Sequence, residues 1–204
     1  MFNTIKETSS AEIVEKKSKF IANIFYVESI EGVENKLKEI RKKYYDAKHN
    51  CFAFRLDKDN ISRFSDDGEP SGTAGSPMLN ILEGRNLSNV LVIVTRYFGG
   101  ILLGTGGLVR AYSDATIKAI ENANIVSKVF GNVVNIEVEY KDLDNFKYYL
   151  KNENINIEDI SYVEKIIIKI ELTDEELKKI NQLKNERKLN INKIDIITKK
   201  YILK

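Results

Sequence analysis

The chain is short of the residues that usually anchor chemistry or cross-linking. It has one cysteine, one histidine and two prolines in 204 residues. A single cysteine excludes an intrachain disulfide and suits a reducing compartment. One histidine and one cysteine, His49 and Cys51, are at most half a metal site, and with no second His or Cys a closed zinc site is not expected. Met1 to Glu7 lacks the apolar core of a signal peptide. No window reaches the apolar length needed to span a bilayer. A cytoplasmic protein with no membrane partner is expected. Charge of one sign is missing too: the formal net charge is +2, too small to argue for a polyanionic partner. A nucleic-acid site must therefore be a local patch.

Glycine is also scarce, except in one window. Nine of eleven glycines and both prolines lie between Gly68 and Gly107, and none follows Gly131. Glycine is used where backbone turns sharply or approaches a ligand, so the window is where a site is sought. It contains two runs: Ser65-Asp66-Asp67-Gly68-Glu69-Pro70-Ser71-Gly72-Thr73-Ala74-Gly75-Ser76-Pro77, and Thr95-Arg96-Tyr97-Phe98-Gly99-Gly100-Ile101-Leu102-Leu103-Gly104-Thr105-Gly106-Gly107.

The periodicity divides the chain near Gly131, into an α+β domain over 1–130 and a second domain over 131–204. In the first, Ser18 to Val27 reads as a strand, and Val33, Leu37, Ile40 and Tyr44 form one stripe of an amphipathic helix. Asn50 to Leu56 alternates as a strand. Pro77 to Leu82 suggests a short helix ended by Gly84. Val90 to Val94 is a continuous apolar run, as in a buried central strand. Thr105 is a candidate N-cap for a helix through Asn122, and Ile125 to Phe130 closes the domain. In the second, Asn132 to Tyr140 alternates as a strand and Asp142 opens a helix carrying Leu143, Phe146 and Leu150. Ile155 to Tyr162 and Glu164 to Leu172 are strands. Thr173-Asp174-Glu175-Glu176 has capping-box spacing, and Ile191 to Ile202 is a last strand. The order β-α-β-β-α-β is that of the ferredoxin-like split βαβ.

Four groups could carry chemistry. Gly104, Thr105, Gly106 and Gly107 open a helix after the tight Gly99-Gly100 turn, leaving free N–H groups that attract an anion. Arg96 and Arg110 could add bidentate phosphate contacts; equally, the glycines could only shape a turn. Asp66, Asp67 and Glu69 crowd one turn and could hold Mg²⁺, or be ordinary turn chemistry. His49 and Cys51 point to one strand face as a possible acid, base or nucleophile, or as core residues. Lys17, Lys19, Lys36, Lys38, Arg41, Lys42, Lys43 and Lys48, with Tyr44, Tyr45 and Tyr97 for stacking, could face RNA or be a solvated surface.

His49-Asn50-Cys51, the Ser65–Pro70 and Gly72–Gly75 stretches, Val94–Gly100 and Leu103–Tyr112, together with Lys17-Ser18-Lys19-Phe20-Ile21-Ala22, resemble the YigZ/IMPACT family over residues 1 to about 125. Lys19 stands where that family often has arginine. The resemblance implies an N-terminal fold similar to the second domain of a small-subunit ribosomal protein and to domain IV of elongation factor G. It likens the C-terminal part to domain V of that factor. Eukaryotic relatives regulate translation by competing for a protein that activates a starvation-responsive kinase.

Three functions are thereby set against one another. In the leading one a non-catalytic regulator of translation binds RNA or the ribosome, with Arg96, Tyr97, Gly99, Gly100, Gly104, Thr105, Gly106, Gly107, Arg110, Lys17 and Lys19 at the interface. The second is an enzyme on a small phosphorylated or nucleotide substrate, using His49, Asp66, Asp67 and Glu69, with Mg²⁺. The third is a protein-interaction module.

Overall fold

The structure is a computed structural model that describes residues 1–204, the side chain of Asp59 excepted. It divides into two compact units, Phe2–Ser127 and Lys128–Lys204 with Met1.

The N-terminal unit is built on the strands β1 (Phe2–Ile5), β2 (Ser9–Glu15), β3 (Ser18–Tyr26), β4 (His49–Leu56), β5 (Ile61–Ser65) and β6 (Val90–Tyr97), with helices α1 (Ile30–Lys43), α2 (Gly75–Gly84) and α3 (Gly104–Glu121). Five strands form an antiparallel sheet in the order β2-β3-β6-β4-β5. The centre of that order explains the apolar run of β6, which is buried on both faces. Val90, Val92 and Val94 join Met78, Leu108, Ala111 and Tyr112 in one core. Leu91 and Ile93 join Val33, Leu37 and Ile40 of α1 in the other. The α1 stripe is thus the one its spacing predicts, and Ser29 caps it by accepting from the Gly32 N–H.

Three strands escape the sequence pattern. β1 and β5 are four and five residues long. β2 is an edge strand in which only Ala11 and Ile13 turn apolar groups toward the core. α2 and α3 begin one or two residues earlier than their expected starts, and the expected cap Thr105 lies inside α3. The residue before the helix is Leu103, which offers no side-chain cap.

From the first unit the chain passes along β7 (Ile125–Val138) into the second, which adds α4 (Leu143–Asn152), β8 (Ile157–Tyr162), β9 (Ile166–Leu172), α5 (Asp174–Asn185) and β10 (Lys193–Leu203). The strands pair antiparallel in the order β10-β7-β9-β8, which is the split βαβ arrangement. The fold class is therefore mixed α and β in two units, as the sequence implies. The Thr173 capping box is present, with Thr173 Oγ1 accepting from the Glu176 N–H and Glu176 accepting from the Thr173 N–H. Two details differ. Asp142 makes no capping bond and sits in a short 3₁₀ turn. β7 is one strand, not two: Gly131 does not interrupt it. A Cβ at Gly131 would lie 2.6 Å from Ile202 Cδ1 and 2.7 Å from the Leu172 carbonyl oxygen, so this glycine permits close packing.

Candidate nucleic-acid interface

The carboxylates of the Ser65–Pro77 loop are turned inward, each to its own task. Asp66 accepts from the backbone N–H groups of Gly72, Ala74 and Gly75 at 2.8, 3.0 and 2.8 Å, folding the loop around its side chain and fixing the start of α2. Asp67 accepts from the Asn50 N–H at 2.7 Å and from Arg41 at 3.2 Å. Glu69 is buried, 2.7 Å from Arg96 Nη1, and accepts from the Tyr112 hydroxyl at 2.8 Å. The turn therefore supplies no shared donor set for Mg²⁺. Among the described residues no group of three His, Cys, Asp or Glu side chains could hold a metal ion.

His49 and Cys51 meet the same loop. His49 Nδ1 lies 2.9 Å from the Asp67 carbonyl, and Gly68 (φ +88°) lets the loop pass over the imidazole, where a Cβ would come within 3.4 Å of Nδ1. Cys51 Sγ lies 2.9 Å from the Asp66 carbonyl and 3.3 Å from the Tyr112 hydroxyl. Burial pushes the Cys51 thiol up to about 12, and the neighbouring Glu69, Asp67 and Asp66 charges act in the same direction. A thiol so held is a poor nucleophile at neutral pH. Burial likewise raises Tyr112, with Cys51 and Glu69 contributing.

Arg96 corrects the expectation of a phosphate grip at that residue. Its side chain is buried and faces Glu69. Its guanidinium carbon sits 5.5 Å from the Phe20 ring centroid and 5.6 Å from that of Phe98, a cation between two aromatic faces. One ion pair and two rings already occupy it. Tyr97 donates to Asp46 at 2.7 Å, the bond that chiefly raises its phenol to about 12. Lys19 is paired with Glu12 at 3.0 Å.

The remaining cations gather elsewhere. Lys16 and Lys17 form the two-residue loop between β2 and β3, with φ of 44° and 65°. Both lie in the left-handed region that disfavours side chains by about 1–2 kcal/mol each, at a hairpin position that prefers Asn-Gly. Backbone strain of this kind clusters at functional sites. The loop packs against the β6–α3 connection: a Cβ at Gly99 would fall 2.0 Å from the Lys17 carbonyl carbon, and the Gly99 N–H donates to Ser18 Oγ at 3.1 Å. Gly100 and Gly104 follow at φ +84° and +73°. Between the hairpin and α3 lies a cleft of about 250 Å³ lined by Lys16, Leu103, Gly107 and Arg110, with Glu15 and Asp114 on its walls. Lys16, Lys17 and Arg110 are exposed and form no ion pair among the described residues. Of the expected interface residues, the structure thus brings Lys17, Gly99, Gly107 and Arg110 to one edge of the unit. Gly104, Thr105 and Gly106 lie exposed in the same first turn of α3.

Sequence reasoning missed Lys16, Phe98 and Tyr112 as participants. The signal for Lys16 was present, since two residues separate the β2 and β3 strands, but β2 itself was not visible.

Residues 16–120 match the Impact N-terminal domain family. The "IMPACT family member YvyE" of Bacillus subtilis (strain 168) is 36% identical over 164 residues, covering 80% of this chain and 76% of that protein. The chain belongs to the IMPACT family. A second family member, YigZ of Escherichia coli (strain K12), is 34% identical over 160 residues, covering 77% of this chain and 78% of its own length. Residues 136–183 match a family described as "Domain of unknown function (DUF1949)". Among solved structures, one described as the crystal structure of a hypothetical protein covers 97% of both chains at 28% identity, with a TM-score of 0.62. The Impact match spans the hairpin, the carboxylate loop and the start of α3. Among the described residues no helix is long and apolar enough to cross a membrane.

Proposed function

We propose that this protein is a non-catalytic cytoplasmic regulator of translation that binds RNA, free or within the ribosome, at the cleft where α3 begins. One observation carries the reading: Lys16 and Arg110, without ion pairs among the described residues, share a cleft with the glycine-rich and uncapped first turn of α3, and Lys17 lies next to Lys16 at the hairpin tip, packed on Gly99. Cations beside free amide groups make a phosphate site. Membership of the IMPACT family supports the link to translation. The enzyme reading has less behind it, because Asp66, Asp67 and Glu69 are each taken up by protein donors.

The test is a titration with structured RNA at two salt concentrations. Affinity should fall steeply with salt, and the combined variant Lys16→Asn, Lys17→Asn and Arg110→Ala should flatten the log–log slope by about 2–3. Asparagine is chosen because it tolerates the left-handed region. Affinity that ignores salt, or a slope unchanged in the variant, overturns the proposal.

A second reading, a protein-docking module, is favoured by Ile101 and Leu102, which stand 43% and 82% exposed on the same loop. A partner recovered from extract after nuclease treatment, and lost on Leu102→Ser, would support docking over RNA.

A further inference from the structure

Phe98 is an aromatic ring held still and left open. It follows directly on β6, whose last residue Tyr97 is registered against Lys19. On its other side Gly99 is locked to the Lys17 backbone and to Ser18. The ring is 56% exposed, yet the Arg96 guanidinium lies against it, 5.6 Å from its centroid. That guanidinium is held in place by Phe20 and Glu69. A ring supported in this way meets a ligand with little further loss of freedom. The next residue, Gly99, packs on the backbone of Lys17 at the hairpin tip, which brings Lys16 and Lys17, without ion pairs among the described residues, to the same end of the sheet.

On the RNA reading above, on which this step rests, we infer that Phe98 is the stacking platform for an unpaired nucleobase, so that the ligand is single-stranded or looped RNA rather than duplex. An exposed aromatic next to a cationic strip suits a base with its flanking phosphates. A base inside a duplex already has both faces stacked and cannot lie on Phe98. The cleft itself balances Lys16 and Arg110 against Glu15 and Asp114, and Lys17 at the hairpin tip makes the local charge positive, which suits an anionic strand over a protein.

The experiment compares end-labelled oligoadenylate as a single strand with the same strand paired to oligouridylate, each titrated at two salt concentrations. Phe98→Leu keeps apolar cover over Arg96 but removes the π-face, and should weaken single-strand binding by about tenfold, the scale of one stacked base. Duplex binding and the salt slope should not change, and Phe98→Tyr should bind like the parent protein. Thermal unfolding confirms that the Leu variant keeps its fold. If Phe98→Leu binds the single strand as tightly as the parent, while Lys16→Asn, Lys17→Asn and Arg110→Ala weaken it, the platform falls and the phosphate site stands. If the parent protein binds neither form, both readings fall. If Phe98→Leu loses only a nuclease-resistant protein partner, the occupant is a protein and the inference is overturned.

Discussion

Glu69 Oε1 lies 2.7 Å from Arg96 Nη1, with the two side chains 3% and 8% exposed. A carboxylate and a guanidinium have been brought together out of water from 27 residues apart in the chain. The pair ties the carboxylate loop to the end of β6, and Tyr112 adds α3 through its hydrogen bond to the same oxygen. Removing one member leaves the other charge buried and unmatched. Arg96→Met should therefore cost about 3–5 kcal/mol. Arg96→Met with Glu69→Gln should recover most of that, because no bare charge remains and Tyr112 keeps an acceptor. Urea unfolding followed by near-ultraviolet circular dichroism of the tyrosines reads both. Additive losses in the double variant would show that the pair is not an energetic unit.

The glycines between Gly99 and Gly106 separate by what surrounds them. At Gly99 an added methyl collides with the Lys17 backbone, so Gly99→Ala should cost roughly 3 kcal/mol or more and displace the hairpin. At Gly104 there is open space, but φ is +73°, so Gly104→Ala should cost about 1–2 kcal/mol. Gly106 has neither obstacle and lies in α3, and alanine there should stabilise by about 0.5–1 kcal/mol. Unfolding free energies of the three variants check the ranking; equal effects would mean that these local geometries do not control stability.

Elements with a strong local period were legible. The Val33, Leu37 and Ile40 stripe, the apolar run of β6 and the Thr173 capping box each declare themselves within about a dozen residues. β2 does not, because an edge strand needs apolar groups on one face only and its Ala11 and Ile13 are too few to stand out. The environment of one candidate residue was misread. Arg96 looked like a phosphate ligand because its partner Glu69 is distant in sequence and meets it only through the β4–β6 pairing and the Asp66-centred loop. Gly131 looked like a break between two strands because a glycine needed for close packing and a glycine needed for a turn are the same letter.

Cys51 makes stability depend on pH in a defined direction. Its thiol is raised from 9.0 to about 12 in the folded protein. Above pH 9 the unfolded chain releases this proton while the folded chain retains it. The contribution is therefore complete below about pH 9 and is lost as pH climbs toward 12. Cys51→Ala should lessen the decline by about 1.4 kcal/mol per pH unit inside that window. Tyr97, also raised to about 12, remains in both proteins, and Tyr112→Phe, made in both, removes the phenol whose shift Cys51 helps to set. Urea unfolding between about pH 8.5 and 11 supplies the measurement. Parallel pH curves would mean that the buried thiol is not retained in its protonated form.

Gly106 allows the RNA reading to be divided from a merely structural one. Its place in the first turn of α3 is open, with nothing within 4 Å of an added Cβ. A methyl group there helps the helix but stands over the free amides that a phosphate would approach. Gly106→Ala should therefore raise the unfolding free energy while weakening RNA binding by about fivefold, the worth of about one hydrogen bond. Arg110→Ala should leave stability nearly unchanged, since the side chain is exposed and unpaired, and should reduce the salt slope by about 1. Stability and affinity moving in opposite directions at Gly106 is a result that turn shaping alone cannot produce. If Gly106→Ala instead gains stability and binds RNA as before, the amides at the start of α3 do not touch the ligand.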